Sequence, residues 1–173
     1  MDILEIIKSR RSVKSYTDQQ VPHELIEKIV EAGMYAPSGK NRQSAIILAV
    51  SNQEIIEKLS YAIKDIRGMS EGDPLYGAPV ALVVLADKNV FTHVYDGSVV
   101  IENMLLEAHS LGLGACWIHH AKEVFESEFG RDLLASLGVD GEYEGVGTCI
   151  VGYPKVRLTQ PIPRKDKYVI YVD

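Results

Sequence analysis

Cysteine is scarce: Cys116 and Cys149 are the two present in 173 residues, both in apolar surroundings and at no metal-type spacing. That count argues against a disulfide scaffold or a structural zinc site, and a reduced, intracellular protein is expected. No apolar run reaches the about 20 residues that span a bilayer; the longest covers residues 78–86. Positive charge is not in excess either. The formal net charge of -6 argues against nucleic acid or an anionic membrane as partner. The opening Met1-Asp2-Ile3-Leu4-Glu5 lacks the basic stretch and apolar core of a signal peptide, so a cytoplasmic protein is expected.

Several catalytic signatures are missing as well. No Gly-x-Gly-x-x-Gly follows a strand, no P-loop is present, and there is neither a nucleophile elbow nor a His-Glu-x-x-His pair. Neither cysteine has a charged sequence neighbour to lower its thiol pKa. An enzyme with this sequence takes its chemistry from a cofactor.

What is there reads as one domain over residues 1–173, since no repeat, low-complexity tract or linker divides the chain. At this length roughly two thirds of the unfolded surface is buried, which needs no disulfide or metal. Asp2 and Glu5 resemble a capping box, opening a helix that buries Ile3, Leu4, Ile6 and Ile7. Pro22 suits the first turn of a second helix, with Leu25, Ile26, Ile29 and Val30 as its apolar stripe and Glu24 pairing with Lys28. Residues 45–50 and 80–86 read as buried strands, and Asn52 caps a helix running toward Ile63. Three glycines and a proline make residues 67–77 a mobile loop. Asp96 opens a long helix with Val99, Val100, Met104, Leu105 and Ala108 inside, closed by Gly112. Residues 113–118 and 146–153 are two further strands, separated by helical segments, and residues 168–172 are strand-like with nothing after them to pair with.

Four stretches carry candidate chemistry. Arg10-Arg11-Ser12-Val13-Lys14 gathers cations and a hydroxyl at a helix end, which suits a phosphate or, alternatively, a solvated helix terminus. The stretch from Ala36 through Pro37, Ser38, Gly39, Lys40, Asn41 and Arg42 to Gln43 sets amides and a hydroxyl before a buried strand. Amides donate and accept at once, matching the polar edge of a flavin or nucleobase, although the same residues also make a plain turn. Around Gly112, Gly114, Cys116, Trp117, Ile118, His119 and His120, glycines permit close approach to a ligand. On a strand, the adjacent histidines would face opposite ways and chelate no shared metal, and Trp117 suits core or interface. Pro161-Ile162-Pro163-Arg164-Lys165-Asp166-Lys167 repeats the cationic chemistry near the tail, or is a charged tail alone.

Taken together and in this order, these segments resemble the small FMN-dependent nitroreductase family, from Ile3 to about Lys167. The runs GAPVALVVLAD, GLGACWI and VGYP add to the likeness. The resemblance implies an α+β fold, a central sheet flanked by helices, in an interlocked homodimer with C-terminal strand exchange and two FMN sites at the interface. It implies that Arg10, Arg11, Ser12 and Lys14 open the flavin site, with Arg10 and Ser12 at the phosphate, Lys14 near the ring's polar edge, and Arg164 and Lys165 assisting. Pro37, Ser38, Gly39, Asn41 and Gln43 come from the partner subunit, while Trp117, Ile118 and His119 run along the ring. The family reaction is ping-pong: NADH or NADPH reduces FMN, and a small acceptor such as a nitroaromatic or quinone then takes the electrons. No protein residue acts as nucleophile or metal ligand. Relatives that dehalogenate, desaturate or break down flavin, and a non-catalytic FMN-binding or storage protein, are the alternatives. His119-His120 depart from the small residue common after this strand, and residues 67–77 lack the asparagine of longer relatives.

Overall fold

Apolar runs alternating with amphipathic stretches build a sheet covered by helices on both faces. The computed structural model describes residues 2–156 and 160–173; residue 1 and residues 157–159 of the expected domain lie outside that description. In chain order the elements are α1 (Ile3–Ser9), α2 (His23–Met34), β1 (Ala45–Val50), α3 (Gln53–Ile66), β2 (Val80–Asp87), α4 (His93–Ser110), β3 (Gly114–Ile118), α5 (Ala121–Glu126), α6 (Glu128–Ser136) and β4 (Tyr143–Gly152). The sheet order is β1-β2-β4-β3, antiparallel throughout. The mixed α+β architecture expected from the sequence is the one found.

Successive residues of β2 serve opposite faces, as the pleat requires. Leu82 and Val84 join Ile29, Ile101 and Met104 under α2 and α4. Val83 and Leu85 join Ile56, Leu59 and Phe125 under α3 and α5. The two cysteines are divided in the same way: Cys149 lies in the first core and Cys116 in the second. Both are free thiols.

Several expectations need correction. The Asp2–Glu5 capping box forms, yet Ile3, Leu4 and Ile7 are 73%, 53% and 47% exposed. Among the described residues α1 meets chiefly α4, which leaves most of its apolar side exposed. β1 is only half-buried because it is an edge strand. On α2 the described ion pair is His23 with Glu27 at 3.4 Å, one position before each expected partner. Helix α4 begins three residues ahead of Asp96, with Thr92 at its N-cap, and Ile101 lies inside where Val99 was expected.

Within residues 67–77, expected as a mobile loop, the second half, residues 73–77, is held by side-chain bonds. Asp73 accepts the amides of Leu75 (2.9 Å) and Gly77 (2.6 Å) and the Ser60 hydroxyl (2.7 Å). Leu75 is buried in the second core. Residues 168–172 form no strand within the chain and are exposed. Among the described residues, no helix is long and apolar enough to cross a membrane.

Candidate functional site

Helix α1 stops at Arg10, whose amide donates to Ile6, and the chain then runs extended along the outer edge of β3. The Val13 amide donates to Ala115 (3.0 Å), and Thr17 and Lys155 continue the pairing with Tyr153 and Ser15. Extended backbone turns alternate side chains to opposite sides. Val13 is therefore buried, while Ser12 and Lys14 on either side of it are exposed. Gly114 makes this approach feasible, since a Cβ there would come within 2.8 Å of Val13 Cγ2. Lys14 Nζ stands 5.7 Å from the centroid of the Tyr76 ring.

Arg11 turns back on the chain, donating from Nε to the Gln160 carbonyl (3.2 Å) and from Nη1 to that of Arg10. Arg10 and Ser12 remain beside Cys116. Burial pushes the Cys116 thiol up, and the Ser12 hydrogen bond with the Lys14 and Arg10 charges offsets this only in part. Burial also raises Tyr16, whose hydroxyl donates to Val13 (2.8 Å). Neither group is a nucleophile or base at neutral pH.

The second stretch lies elsewhere. Gly39–Asn41 forms a short 3-10 turn, and Lys40, Asn41 and Gln43 hold φ of 53°, 53° and 50°. Gln43 donates its amide to Ser38 Oγ (2.9 Å) and its Nε2 to Asn41 Oδ1 (3.3 Å). Pro37, Ser38 and Gln43 line a cavity of about 130 Å³ together with Asp96 and Ile47. Asp96 is 5% exposed. It accepts from the Gly39 amide (2.9 Å), Ser44 Oγ (2.7 Å) and Thr92 Oγ1 (3.1 Å). Burial raises this carboxyl, but those three donors and the His93 charge outweigh it and hold it below the usual range. Asp96, expected to open the helix, lies inside its first turn instead. Its place at four-residue spacing from Val100, Met104 and Ala108, all buried, was the signal that it faces inward.

In the third stretch Trp117 is partly buried against the first core and Ile118 is buried in the second, so Ile118 has mainly backbone to offer. His119 and His120 lie past the strand end, which corrects the opposite-face expectation. His120 caps α5 in a left-handed conformation, and the two rings meet edge to face at 5.1 Å. Among the described residues no group of histidine, cysteine and carboxylate side chains is placed to hold a metal. Arg164 and Lys165 are exposed on the tail, with Lys165 lying over Tyr168 at 5.6 Å. The described tail contact with the first stretch is the Arg11–Gln160 bond instead.

One chain therefore sets the two polar stretches at opposite corners of its sheet. Ser12 pairs at Ala115, in the row that runs through Val151 to Val80. Residues 38–43 lead into Ala45, in the row of Ala86. Three strand spacings separate the edges, roughly 14 Å, and six positions of β2 separate the rows, roughly 20 Å.

A family model described as the Nitroreductase family matches residues 7–153. A protein of Archaeoglobus fulgidus, provisionally named NADH dehydrogenase/NAD(P)H nitroreductase, is 33% identical over 172 residues, 96% of this chain and 90% of its own length. A protein of the same provisional name from Methanothermobacter thermautotrophicus is 41% identical over 121 residues, 68% of this chain, and the match spans 60% of the relative's length. Among solved structures, a nitroreductase with bound FMN from Bacteroides fragilis superposes with a TM-score of 0.88 at 32% identity, covering 100% of both chains.

Proposed function

The chain belongs to the nitroreductase family, and from that premise we propose that it is an FMN-dependent oxidoreductase. It takes two electrons from NADH or NADPH and passes them, in alternation at one place, to a small acceptor such as a nitroaromatic or a quinone. The B. fragilis relative holds FMN, and the archaeal relatives carry NAD(P)H nitroreductase names. Two free thiols suit a reducing compartment, the cytoplasm.

The donor set fits FMN. Arg10 and Ser12 supply a guanidinium and a hydroxyl to one terminal phosphate, and the half-buried setting of Arg10 strengthens the charge-assisted bonds. Lys14, set over Tyr76, offers positive charge to the ring's polar edge. Asn41 and Gln43 offer amides that suit alternating donors and acceptors. Trp117, Ile118 and His119 lend backbone and ring surface alongside. Bound FMN would supply the two-electron carrier that none of these side chains is.

The observation that carries this reading is the diagonal separation of the two stretches. A single small cofactor cannot meet both within one chain, whereas two chains packed together bring Ser38, Asn41 and Gln43 of one to Arg10, Ser12 and Lys14 of the other. The exposed apolar groups support such a homodimer: Ile3 and Leu4 on α1, Phe91 and Tyr95 around the start of α4, and Ile170 and Val172 in the tail. Residues 12 and 13 already pair with β3 at Ala115, whereas β1 ends the sheet, so the outer edge of β1 is the place for a partner's residues 168–172 to add a strand. The same exchange would carry Arg164 and Lys165 toward the composite site.

The test is cofactor identity followed by turnover. Heat-released cofactor is identified by mass, and the holoprotein is then mixed with NADH or NADPH and with menadione or a nitroaromatic. FMN and steady oxidation of reductant are expected. FAD, or no flavin after incubation with FMN, sinks the cofactor reading; FMN with no turnover on any acceptor leaves a carrier protein instead.

A further inference from the structure

The loop at residues 38–43 holds a shape that its own residues resist. Three of its non-glycine positions, Lys40, Asn41 and Gln43, are left-handed, where a Cβ crowds the neighbouring carbonyl. Turn bonds from Asn41 to Ser38 (3.0 Å) and from Arg42 to Gly39 (3.2 Å) close it locally. Its side-chain anchor in the body of the protein is the Asp96 carboxylate, beside the backbone bond from the Asp87 amide to the Ser44 carbonyl (2.9 Å) at the loop's exit. That one carboxylate grips the loop at entry, through the Gly39 amide, and at exit, through the Ser44 hydroxyl, while Thr92 braces it from its own helix. The loop is pressed so close to α4 that a Cβ on Gly39 would lie 2.3 Å from Thr92 Oγ1. The dependence is mutual, because a buried carboxylate deprived of its donors is itself strongly disfavoured.

We propose that Asp96 is a positioning residue that imposes the left-handed form of residues 38–43 and so aims Ser38, Asn41 and Gln43 at the FMN of the partner subunit. The proposal rests on the flavin reading above and goes beyond it in naming what shapes the loop. Asp96 is buried behind the loop and reaches the cofactor only through it.

Two readouts on the apoprotein test this: FMN affinity by fluorescence titration, and amide hydrogen exchange at residues 39–43. Asp96→Asn replaces one accepting oxygen with a donor and removes the charge. Its FMN Kd should rise at least about tenfold, the worth of a charge-assisted hydrogen bond. Exchange at Gly39 and Gln43 should quicken while light scattering and far-ultraviolet circular dichroism stay as in the wild type. Lys40→Gly removes one left-handed penalty. Alone it should change Kd by no more than about twofold, as exposed substitutions do; in the Asp96→Asn background it should recover affinity several-fold. Should Asp96→Asn fold poorly, Ser44→Ala and Thr92→Val each delete one bond and should weaken FMN in smaller steps. Wild-type affinity and exchange in Asp96→Asn would overturn the proposal, as would lost affinity without faster exchange at 39–43 or without rescue by Lys40→Gly. If the wild type takes up no FMN the flavin reading fails, and unchanged loop exchange in Asp96→Asn would then overturn the clamp separately.

Discussion

The Lys122 ammonium of α5 lies 2.6 Å from the Glu144 carboxylate of β4. His93 approaches the same carboxylate from α4 at 3.5 Å, so one acidic group ties two helices to the sheet. The Lys122 hydrogen bond and charge, with help from His93, hold Glu144 below the usual carboxylate range despite its burial. A depressed folded pKa means stabilisation that is full above the unfolded value and lost as pH falls through the folded one. Glu144→Gln should therefore lower the thermal midpoint near neutrality, with the gap to wild type closing as the solution is acidified below the ordinary glutamate range. A gap that stays constant down to pH 3 would show that the ion pair does not contribute.

Gly114→Ala should be costly for a residue so small. Its Cβ would meet three side-chain carbons of Val13 at 2.8 to 2.9 Å, and such overpacking costs about 1–3 kcal/mol. The displaced strip carries Ser12 and Lys14, so FMN affinity should fall with stability. Urea titration of Gly114→Ala, Val13→Ala and the double variant should give a clear coupling energy, the double being less unstable than the sum. Additive losses would mean that this contact is relieved elsewhere.

Arg10→Ala should weaken FMN binding about tenfold or more, the loss of a charge-assisted bond. Turnover per bound flavin should hardly change, because the phosphate end lies away from the reacting ring. Wild-type affinity would remove Arg10 from the site, and unchanged affinity with lost turnover would move it toward the chemistry.

Deleting residues 168–173 should abolish dimer and flavin together, since the proposed tail exchange and the proposed composite site depend on one assembly. Light scattering and absorbance on the same sample decide it. A monomer that retains FMN would separate the two, and folding that is independent of protein concentration would argue against an obligate dimer.

How much of this could be read from the sequence depends on where the determining contacts lie. Strands β1 and β2 were placed nearly to the residue, because their apolar runs are local signals, and Asn52 does cap α3. Asp96 was misread because its partners Gly39 and Ser44 stand 57 and 52 residues earlier in the chain. The anchoring of residues 73–77 was hidden for a similar reason: glycines and a proline announce a turn, but not that Leu75 is driven into the core. The pairing of Lys14 with Tyr76 follows from that folding and has no sequence signature of its own. The exposure of Ile3, Leu4 and Ile7 on α1 was hidden too, because apolar spacing announces a helix face but not what covers it.

The placing of Cys116 and Cys149 on opposite faces of the sheet gives the molecule a built-in chronometer. Separated by the sheet, the sulfurs cannot be joined by an oxidant while the fold is intact. Burial keeps both in the sluggish thiol form. Alkylating reagents must wait for the helices over each face to lift, and the lag before each sulfur is tagged measures how often its own side of the protein opens.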